Sequence, residues 1–482
     1  MLFNSIDFAL FLPVVFLLYW FVTYGNLKLQ NFLVVLASYI FYGWWDWRFL
    51  SLILFSTVVD YSVGRLLMDE NRQARRRVLL WISIIINIGF LGFFKYYNFF
   101  AENFIAAFSL FGTEFRASSL NIVLPVGISF YTFQTLSYTM DVYRRKMDAT
   151  KDFIAFAAFV SFFPQLVAGP IERAKNLLPQ FCVRRKFDYT KATDGVRQIL
   201  WGLFKKVVIA DNCAEFANQI FNNSAAMDGS TLVLGVVFFA FQIYGDFSGY
   251  SDIAIGVARL FGFDLMRNFA FPYFSRDIAE FWRRWHISLS TWFRDYVYIP
   301  LGGSRGGTWM KVRNTFVIFA VSGFWHGANW TFIIWGLLNA VYFLPLLLAG
   351  KNRDNMTTVA QGRLWPGFKN VFSILCTFGL TLFAWIFFRA ESLDHAMAYI
   401  SGIFSPSLFT APHFYDMGEA LITLVFVCLF IIVEWLGRNE EYAIAAMGLS
   451  WRRPMRYTLY YTLMIIIFLF AGKGQEFIYF QF

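Results

Sequence analysis

Long apolar runs separated by short polar segments dominate the chain. A helix of about 20 mainly apolar residues is long enough to cross the hydrocarbon core of a bilayer. The stretch 314–350 contains no Asp, Glu, Lys or Arg and is long enough for two such helices. The pattern predicts an all-α integral membrane fold with about eleven transmembrane helices. The predicted spans are residues 8–27, 29–45, 49–67, 78–94, 118–140, 231–245, two within 314–350, 370–388, 420–433 and 457–472.

Two apolar segments do not fit simple spans. Residues 153–171 are uncharged, but basic residues precede and follow them, so a single crossing would leave basic segments on both sides of the membrane. Pro164 and Pro170 interrupt this run, and proline breaks helical hydrogen bonding. We expect a re-entrant hairpin that is buried in protein and returns to the cytoplasmic side. The segment 196–210 carries Lys205 and Lys206 and is expected to lie partly in the membrane interface.

Composition indicates that lipid is the solvent for much of the surface. Hydrophobic residues make up 58% of the 482 residues and charged residues 15%, and the mean hydropathy is +0.52. A soluble domain has about 25% charged residues. The net charge of +10 fits the Lys and Arg bias of cytoplasmic loops, such as the basic segment 72–77, and no nucleic-acid-binding motif accompanies it. The first apolar run lacks a basic segment before it and a small-residue cleavage site after it, which indicates a retained span.

Several common catalytic and metal-binding patterns are absent from the sequence. There is no G-x-S-x-G, no Walker A and no H-E-x-x-H motif. The four cysteines form no C-x-x-C pair, so neither a disulfide framework nor a metal site is expected. Histidine is equally scarce, which makes each one informative. The four histidines are His286, His326, His395 and His413.

The first candidate site is the aromatic and basic stretch 281–296. Helical spacing places Trp285 and Trp292 on one stripe and Arg284 and Asp295 on another. This pattern predicts an amphipathic helix that lies at a membrane face. Such a helix is either an interfacial anchor or the wall of a site that contacts an anionic donor.

The second candidate site surrounds His326, deep inside the apolar stretch 314–350. Ionisable residues at such depth are costly and usually face a bundle interior or a wet cavity. Imidazole is also the usual general base near neutral pH. Gly323 and Gly327 permit a close backbone approach or a helix break. The residue types leave two interpretations open, a core histidine with satisfied hydrogen bonds and a catalytic base.

Two further segments combine small and hydroxyl-bearing residues. The segment 244–252 contains Asp246 and Asp252 with glycines and serines. It is either a helix break with capping residues or the lining of a polar pocket. The segment 124–134 contains small and hydroxyl-bearing residues, which suit close packing between membrane helices.

Together these stretches resemble the membrane-bound O-acyltransferase superfamily. The resemblance rests first on residues 281–303, which end in Ile-Pro-Leu-Gly-Gly, and on Trp325-His326-Gly327. Its bacterial branch, with the proteins of alginate O-acetylation and teichoic acid D-alanylation, is the more similar part. One polytopic acyltransferase domain is therefore expected over residues 1–482. Further matching stretches are 38–45, 124–131, 168–173, 244–252 and 477–482.

The resemblance implies a fold and a set of site residues. The fold is a ring of tilted helices around a central tunnel, with re-entrant and interfacial helices. His326 matches the catalytic histidine of the family, and His286 matches a second histidine that lines the cytoplasmic half. His395 and His413 match no family motif and are expected in loops. The residues expected to contact substrate are Arg283, Arg284, Trp285, Arg294, Asp295, Asp246, Asp252, Trp325 and Asn329.

The resemblance also implies a reaction. An acetyl thioester, with acetyl-CoA as the expected donor and no tightly bound cofactor, would meet the arginines through its phosphates. The acetyl group would move towards hydroxyls of an extracytoplasmic polysaccharide such as alginate. A partner outside the membrane is expected, either an SGNH-type acetyltransferase or another polymer-modifying protein. Membrane lipid surrounds the chain, no nucleic acid is involved, and the expected location is the bacterial inner membrane.

Two alternatives stay open at this point. One is transfer of D-alanine or another acyl group from a carrier protein to a cell-envelope polymer. The other belongs to a different class, a multi-pass transporter or flippase in which a buried histidine gates protons. The absence of recognisable inverted repeats weakens the transporter alternative.

Overall fold

The fold is helical throughout the part of the chain that can be described. The computed structural model describes residues 1–109, 120, 122–471 and 474–478, and it contains no strand within these ranges. Six helical segments in the described ranges are long and apolar enough to cross a membrane. They are Leu27–Asp69, Gln73–Ser109, Gly229–Leu260, Trp330–Leu348, Phe368–Arg389 and Met417–Leu436.

The chain folds as two compact units, the first formed by Met1–Ala192 together with Ala258–Leu265. A buried carboxylate ties three of its helices together. Asp60 accepts hydrogen bonds from Ser83 (2.5 Å), Asn87 (2.8 Å) and Thr139 (3.0 Å), which satisfies a charge that would be costly to bury alone. The helices of this unit are α1 Ile6–Leu17, α2 Leu27–Asp46, α3 Leu50–Asp69, α4 Gln73–Leu91, α5 Tyr97–Ser109, α6 Ile128–Tyr143, α7 Phe153–Ser161, α8 Phe163–Leu166 and α9 Ala174–Phe181.

The interruption predicted within residues 153–171 is present in the first unit. Helix α7 ends at Ser161, Phe162 leaves the helical conformation, and the short helix α8 carries Pro164 in its first turn. Every residue from 155 to 174 is buried. The break and the burial are confirmed, and the return of this hairpin to the cytoplasmic side stays a prediction.

The second unit is formed by Thr193–Val257 together with Met266–Phe482 and contains both candidate sites. Helix α10 begins in the first unit and continues into the second. A π-helical segment, Phe204–Ala210, links α10 to α11, and a second one, Arg294–Tyr298, follows α14. The helices are α10 Tyr189–Leu203, α11 Asp211–Asn222, α12 Gly229–Leu260, α13 Ile278–Arg284, α14 Ile287–Phe293, α15 Thr308–His326, α16 Trp330–Leu348, α17 Phe368–Arg389, α18 Leu393–Ile403, α19 Met417–Leu436 and α20 Arg453–Leu469.

Glycines let two pairs of helices approach within backbone contact. Gly323 of α15 faces Gly336 of α16, and a Cβ on either would overlap the backbone carbonyl of the other helix, at Phe332 or Phe319. Gly202 of α10 faces Gly249 of α12 in the same way, because a Cβ on Gly202 would lie 2.7 Å from the Gly249 carbonyl oxygen. Small residues at such crossings are typical of membrane helices.

One sequence prediction about local structure is wrong, because His395 lies in the first turn of α18 and not in a loop, whereas His413 does lie in a loop. Helix α12 runs unbroken through 244–252, which excludes the helix-break alternative for this segment. Phe204–Ala210 is buried within the second unit, and an interfacial position for the rest of 196–210 stays a prediction.

Parts of two predicted spans cannot be compared with the structure. Residues 118, 119 and 121 of the span 118–140 lie outside the described residues, and helix α6 begins at Ile128. Residue 472 of the last span and residues 479–482 of the matching C-terminal stretch also lie outside them. The total of about eleven spans and the tunnel stay predictions.

Candidate active site

His326 is the last residue of α15 and is held by an aromatic enclosure. Gly327 follows in an extended conformation, and a Cβ there would overlap the ring of Phe332. The imidazole ring lies 5.1 Å from Trp335 and 5.3 Å from Phe388, measured between ring centroids. Only 3% of the residue is exposed. The glycines predicted to allow close approach or a helix break therefore do both, since α15 crosses α16 closely and ends at His326.

His286 lies at a sharp turn between α13 and α14. The predicted continuous amphipathic helix over 281–296 is wrong, because α13 ends at Arg284 and His286 adopts a left-handed conformation (φ 43°, ψ 55°). A non-glycine residue in this region costs about 1–3 kcal/mol and persists where its surroundings hold it. Here the backbone N–H of Ile287 donates to the carbonyl of Asn268 (2.9 Å), and that of Ala270 donates to Arg284 (2.9 Å). Strained backbone of this kind is concentrated at functional sites.

The turn brings the two histidines together, although they are separated by 40 positions. Their ring centroids are 6.5 Å apart, and Trp325 contacts both, at 6.2 Å from His286 and 4.9 Å from His326. His286 is fully buried and lies outside the six candidate spans. Burial lowers the pKa of its imidazole to about 3, because desolvation disfavours the charged form. His286 is therefore neutral at neutral pH, and one of its ring nitrogens is a hydrogen-bond acceptor.

A cavity of about 450 Å³ lies beside α13, α14, α15 and α16. Leu289, Phe293 and Phe319 contribute apolar wall, and Ser322, one turn before His326, contributes a hydroxyl. Three arginines contribute positive charge. They are Arg283, Arg294 and Arg353. An apolar cavity lined in part by arginines fits a ligand that has an apolar or uncharged arm and an anionic end.

The three arginines predicted to contact a donor have different surroundings. Arg283 lines the cavity and donates to the carbonyls of Asn352 (2.8 Å) and Asn355 (2.9 Å). Arg294 also lines the cavity, and it is largely exposed and paired with Asp295 at 2.8 Å.

Arg284 does not line the cavity. It forms an ion pair with Glu280 at 2.9 Å. The structure therefore brings Arg283 and Arg294 to one cavity and leaves Arg284 bound to its own helix.

The acidic residues Asp246 and Asp252 are engaged by lysines. Lys206 contacts Asp246 and Asp211, each at 2.8 Å, and Lys205 contacts Asp252 at 2.5 Å. The close α10–α12 crossing at Gly202 and Gly249 explains how two adjacent lysines reach this buried helix face. Asp246 also accepts the backbone N–H of Ile478 at 2.7 Å.

The remaining predicted contacts, Trp285 and Asn329, have protein partners. Trp285 is buried, with ring centroids 5.1 Å from Trp385 and from Phe269. Asn329 caps α16 by accepting the Thr331 N–H (3.0 Å), and its amide donates to the Glu391 carbonyl (2.8 Å).

Sequence reasoning missed three contributors to this site, namely Asn268, Ser322 and Arg353. Asn268 contacts the His286 ring, and the other two line the cavity. Ser322 was within reach of prediction, because it precedes His326 by four positions and shares its helix face. Asn268 and Arg353 lie in connecting segments, where no periodicity reports what a side chain faces.

Comparison with known proteins identifies the family of the chain. Residues 145–388 match the family described as MBOAT, membrane-bound O-acyltransferase family. The chain is 39% identical over 454 residues to the "Probable alginate O-acetylase AlgI" of Azotobacter vinelandii, covering 93% of this chain and 87% of that protein. It is 33% identical over 529 residues to the "Peptidoglycan O-acetyltransferase" of Helicobacter pylori, covering 100% and 98%. It is 31% identical over 231 residues to the "Teichoic acid D-alanyltransferase" of Streptococcus thermophilus, covering 45% and 55%.

These matches and the apolar helices define a multi-pass membrane enzyme that transfers acyl groups to oxygen. The chain belongs to the membrane-bound O-acyltransferase family. The transporter alternative raised by the sequence is set aside, because the matched proteins named above are acyl-transferring enzymes.

Proposed function

We propose that the chain transfers an acetyl group from acetyl-CoA at the cytoplasmic face towards hydroxyls of an extracytoplasmic polysaccharide. The observation that carries the proposal is the pair of buried histidines, 6.5 Å apart, next to an arginine-lined cavity. The proposed location is the bacterial inner membrane, and the proposed fold has about eleven spans around a tunnel. A tunnel would let donor and acceptor approach the histidines from opposite faces.

The cavity suits the donor. Its apolar walls accommodate the pantetheine arm, and Arg294 and Arg353 meet phosphate oxygens at the rim. Arg283 now binds two backbone carbonyls. Phosphate is the stronger acceptor for a guanidinium group, so the donor would take over these bonds when it binds.

The proposed reaction is direct transfer with His326 as general base. His326 accepts the proton of the acceptor hydroxyl while its oxygen attacks the thioester carbonyl. The new C–O ester bond forms, the C–S bond breaks, and the leaving thiolate takes the proton from His326. The acceptor hydroxyl belongs to the polysaccharide or to a serine of an extracytoplasmic partner, such as an SGNH-type acetyltransferase, that passes the acetyl group on.

The extent of the matches favours acetyl over D-alanyl transfer. The two O-acetylating relatives match over 93% and 100% of this chain, whereas the D-alanyltransferase matches over 45%. The names of the O-acetylating relatives support a polysaccharide acceptor of the alginate or peptidoglycan type.

The test is donor turnover by purified protein in nanodiscs. Radiolabelled acetyl-CoA is supplied with alginate and peptidoglycan fragments, and label in ester is followed for wild type, His326→Ala and His395→Ala. His395 is the matched control, because it contacts Ser224 (3.1 Å) and does not line the cavity. We expect wild type and His395→Ala to transfer label into ester. The transfer rate of His326→Ala should be lower by at least about 100-fold, which is within the range that a general base contributes.

Two results would contradict the proposal. Equal transfer by a monodisperse His326→Ala protein would show that His326 is not the base. Transfer of D-alanine from a carrier protein, with no transfer from acetyl-CoA, would show that the donor is wrong.

A further inference from the structure

Asn268 lies in the connection between α12 and α13, and its side-chain amide is completely buried. Its Oδ1 lies 3.2 Å from the backbone N of Ser288, 2.9 Å from the Ser288 hydroxyl and 3.1 Å from Nδ1 of His286. Its Nδ2 donates to the hydroxyl of Ser251 on α12 at 3.2 Å. One amide therefore joins α12, the turn at His286 and the start of α14.

The contact with Ser288 fixes the orientation of this amide. A backbone N–H can only donate, so the atom that faces it must be the amide oxygen rather than the amide nitrogen. The same oxygen faces Nδ1 of His286, and an oxygen that only accepts requires a proton on that nitrogen. In a neutral imidazole the lone pair is then on Nε2.

We propose that Asn268 is a positioning residue for acyl transfer, which holds His286 in the tautomer with its lone pair on Nε2 beside His326. This inference rests on the proposed function and adds a role for a residue that sequence reasoning did not find. In this tautomer Nε2 of His286 is a hydrogen-bond acceptor next to the catalytic base. Asn268 itself neither gains nor loses a proton.

Aromatic side chains surround the His286 ring. They include Phe247 (4.6 Å), Phe269 (6.3 Å), Trp325 (6.2 Å) and His326 (6.5 Å), and His326 is a titratable group. Apolar neighbours favour the neutral form. A carboxylate in place of the amide would favour the imidazolium form, because it would accept the Nδ1 proton with a full negative charge.

The first experiment combines acetyl transfer by the full chain in nanodiscs with a pH titration of the His286 nitrogen-15 signals. In Asn268→Asp the pKa of His286 rises, so these signals should report protonation at a pH at least about one unit higher than in wild type. We expect kcat to fall in the pH range where His286 is protonated, with the donor KM unchanged, because the imidazolium has no lone pair on Nε2.

The matched control is Ser288→Ala, which removes a hydroxyl that lies 2.9 Å from Oδ1 and 3.5 Å from Nδ1 of His286 but keeps the backbone N–H and the contact between Asn268 and His286. We expect its His286 titration to stay at the wild-type position. If a folded Asn268→Asp protein keeps both the wild-type His286 titration and the wild-type kcat, Asn268 is merely structural and the proposal fails.

The second experiment reads the tautomer directly, without any acyl transfer. Nitrogen-15 NMR of histidine-labelled wild type, with His286→Gln used to assign the signal, should show a protonated Nδ1 and an unprotonated Nε2. The opposite tautomer in wild type would overturn the proposal even if transfer is observed. The expected tautomer in a protein that transfers no acetyl group would instead overturn the proposed donor and leave the role of Asn268 in place.

Discussion

At the scale of single residues, the position of His326 depends on the absence of a side chain at Gly323. A Cβ at this position would overlap the carbonyl oxygen of Phe332 in α16, and backbone cannot move aside as a side chain can. Gly336 of α16 has the same role in this crossing, because a Cβ there would overlap the carbonyl oxygen of Phe319 in α15. His326 follows Gly323 by three positions, so a wider crossing would displace the imidazole from Trp335 and Phe388.

We expect Gly323→Ala to lower both stability and acetyl transfer. Overpacking a close contact costs about 1–3 kcal/mol, and the shift of α15 should reduce kcat more than it changes the donor KM. The control is Gly379→Ala in α17, where a Cβ meets nothing within 4 Å. Thermal unfolding and donor turnover measure both effects. Unchanged turnover in Gly323→Ala would show that the crossing does not position His326.

Sequence reasoning at the residue scale identified the histidines better than their partners. The Trp325-His326-Gly327 motif and the scarcity of histidine pointed to His326. Sequence reasoning does not identify the lysine partners of Asp246 and Asp252, because they lie 40 and 47 positions upstream in a segment predicted to be partly interfacial. Long-range pairing of charges across a helix crossing leaves no local pattern.

At the scale of elements, the loop 349–367 between α16 and α17 forms part of the cavity. Asn352, Arg353 and Met356 line it. Arginines outside the loop donate hydrogen bonds to its backbone carbonyls. Arg276 donates to Thr357 (2.6 Å), and Arg438 donates to Val359 (3.1 Å) and Ala360 (3.0 Å). Arg283 donates to the carbonyls of Asn352 and Asn355 in the same loop. The loop is therefore a wall of the cavity that is anchored by hydrogen bonds from guanidinium groups.

We expect Arg353→Met to weaken use of acetyl-CoA but not of acetyl-pantetheine, which lacks the phosphates. Loss of one charged hydrogen bond to phosphate is worth about 1.5–3 kcal/mol, which corresponds to roughly 10- to 150-fold in kcat/KM for acetyl-CoA. The control is Lys351→Met, an exposed cation in the same loop that does not line the cavity. Equal losses with both donors would place the phosphates elsewhere.

For the secondary-structure elements, apolar runs in the sequence predict the helices well but predict the breaks between helices less well. Length and absence of charge located α16, α17 and α19, because crossing a bilayer constrains both. Hydrophobic periodicity predicts one helix over 281–296, since the periodicity continues through the break at Trp285 and His286. At that break the backbone N–H of Ile287 donates to the Asn268 carbonyl and the backbone N–H of Ala270 donates to the Arg284 carbonyl, and no periodicity of the stretch itself indicates these bonds.

At the scale of the whole molecule, large apolar side chains cover much of the outer surface. Phe368 is 86% exposed and Phe468 is 84% exposed. Exposed apolar area of this extent is unfavourable in water and fits contact with lipid. Charged side chains such as Lys206 and Asp246 are instead buried and paired. This inverted distribution is what a low-dielectric solvent requires, and composition alone was enough to anticipate it.

The last prediction concerns which side of the membrane the cavity faces. Helix α19, Met417–Leu436, has 20 residues and a length of about 30 Å, which matches the hydrocarbon core. Its C-terminal end contacts the loop 349–367, because Trp435 donates to the Leu364 carbonyl at 2.9 Å. Tyr415 precedes its N-terminal end. The loop carries Lys351, Arg353 and Arg363, as expected for a cytoplasmic loop.

In a background without the four native cysteines, we expect Lys351→Cys to react with an impermeant maleimide in inverted vesicles and Tyr415→Cys to react in intact cells. This orientation would place the cavity on the side where acetyl-CoA is made. Each position is the control for the other, because a leaky membrane would label both from both sides. The reverse pattern would put the cavity outside the cell. A cytoplasmic thioester could not then reach Arg353, and the donor assignment would fail even if His326 is the catalytic base.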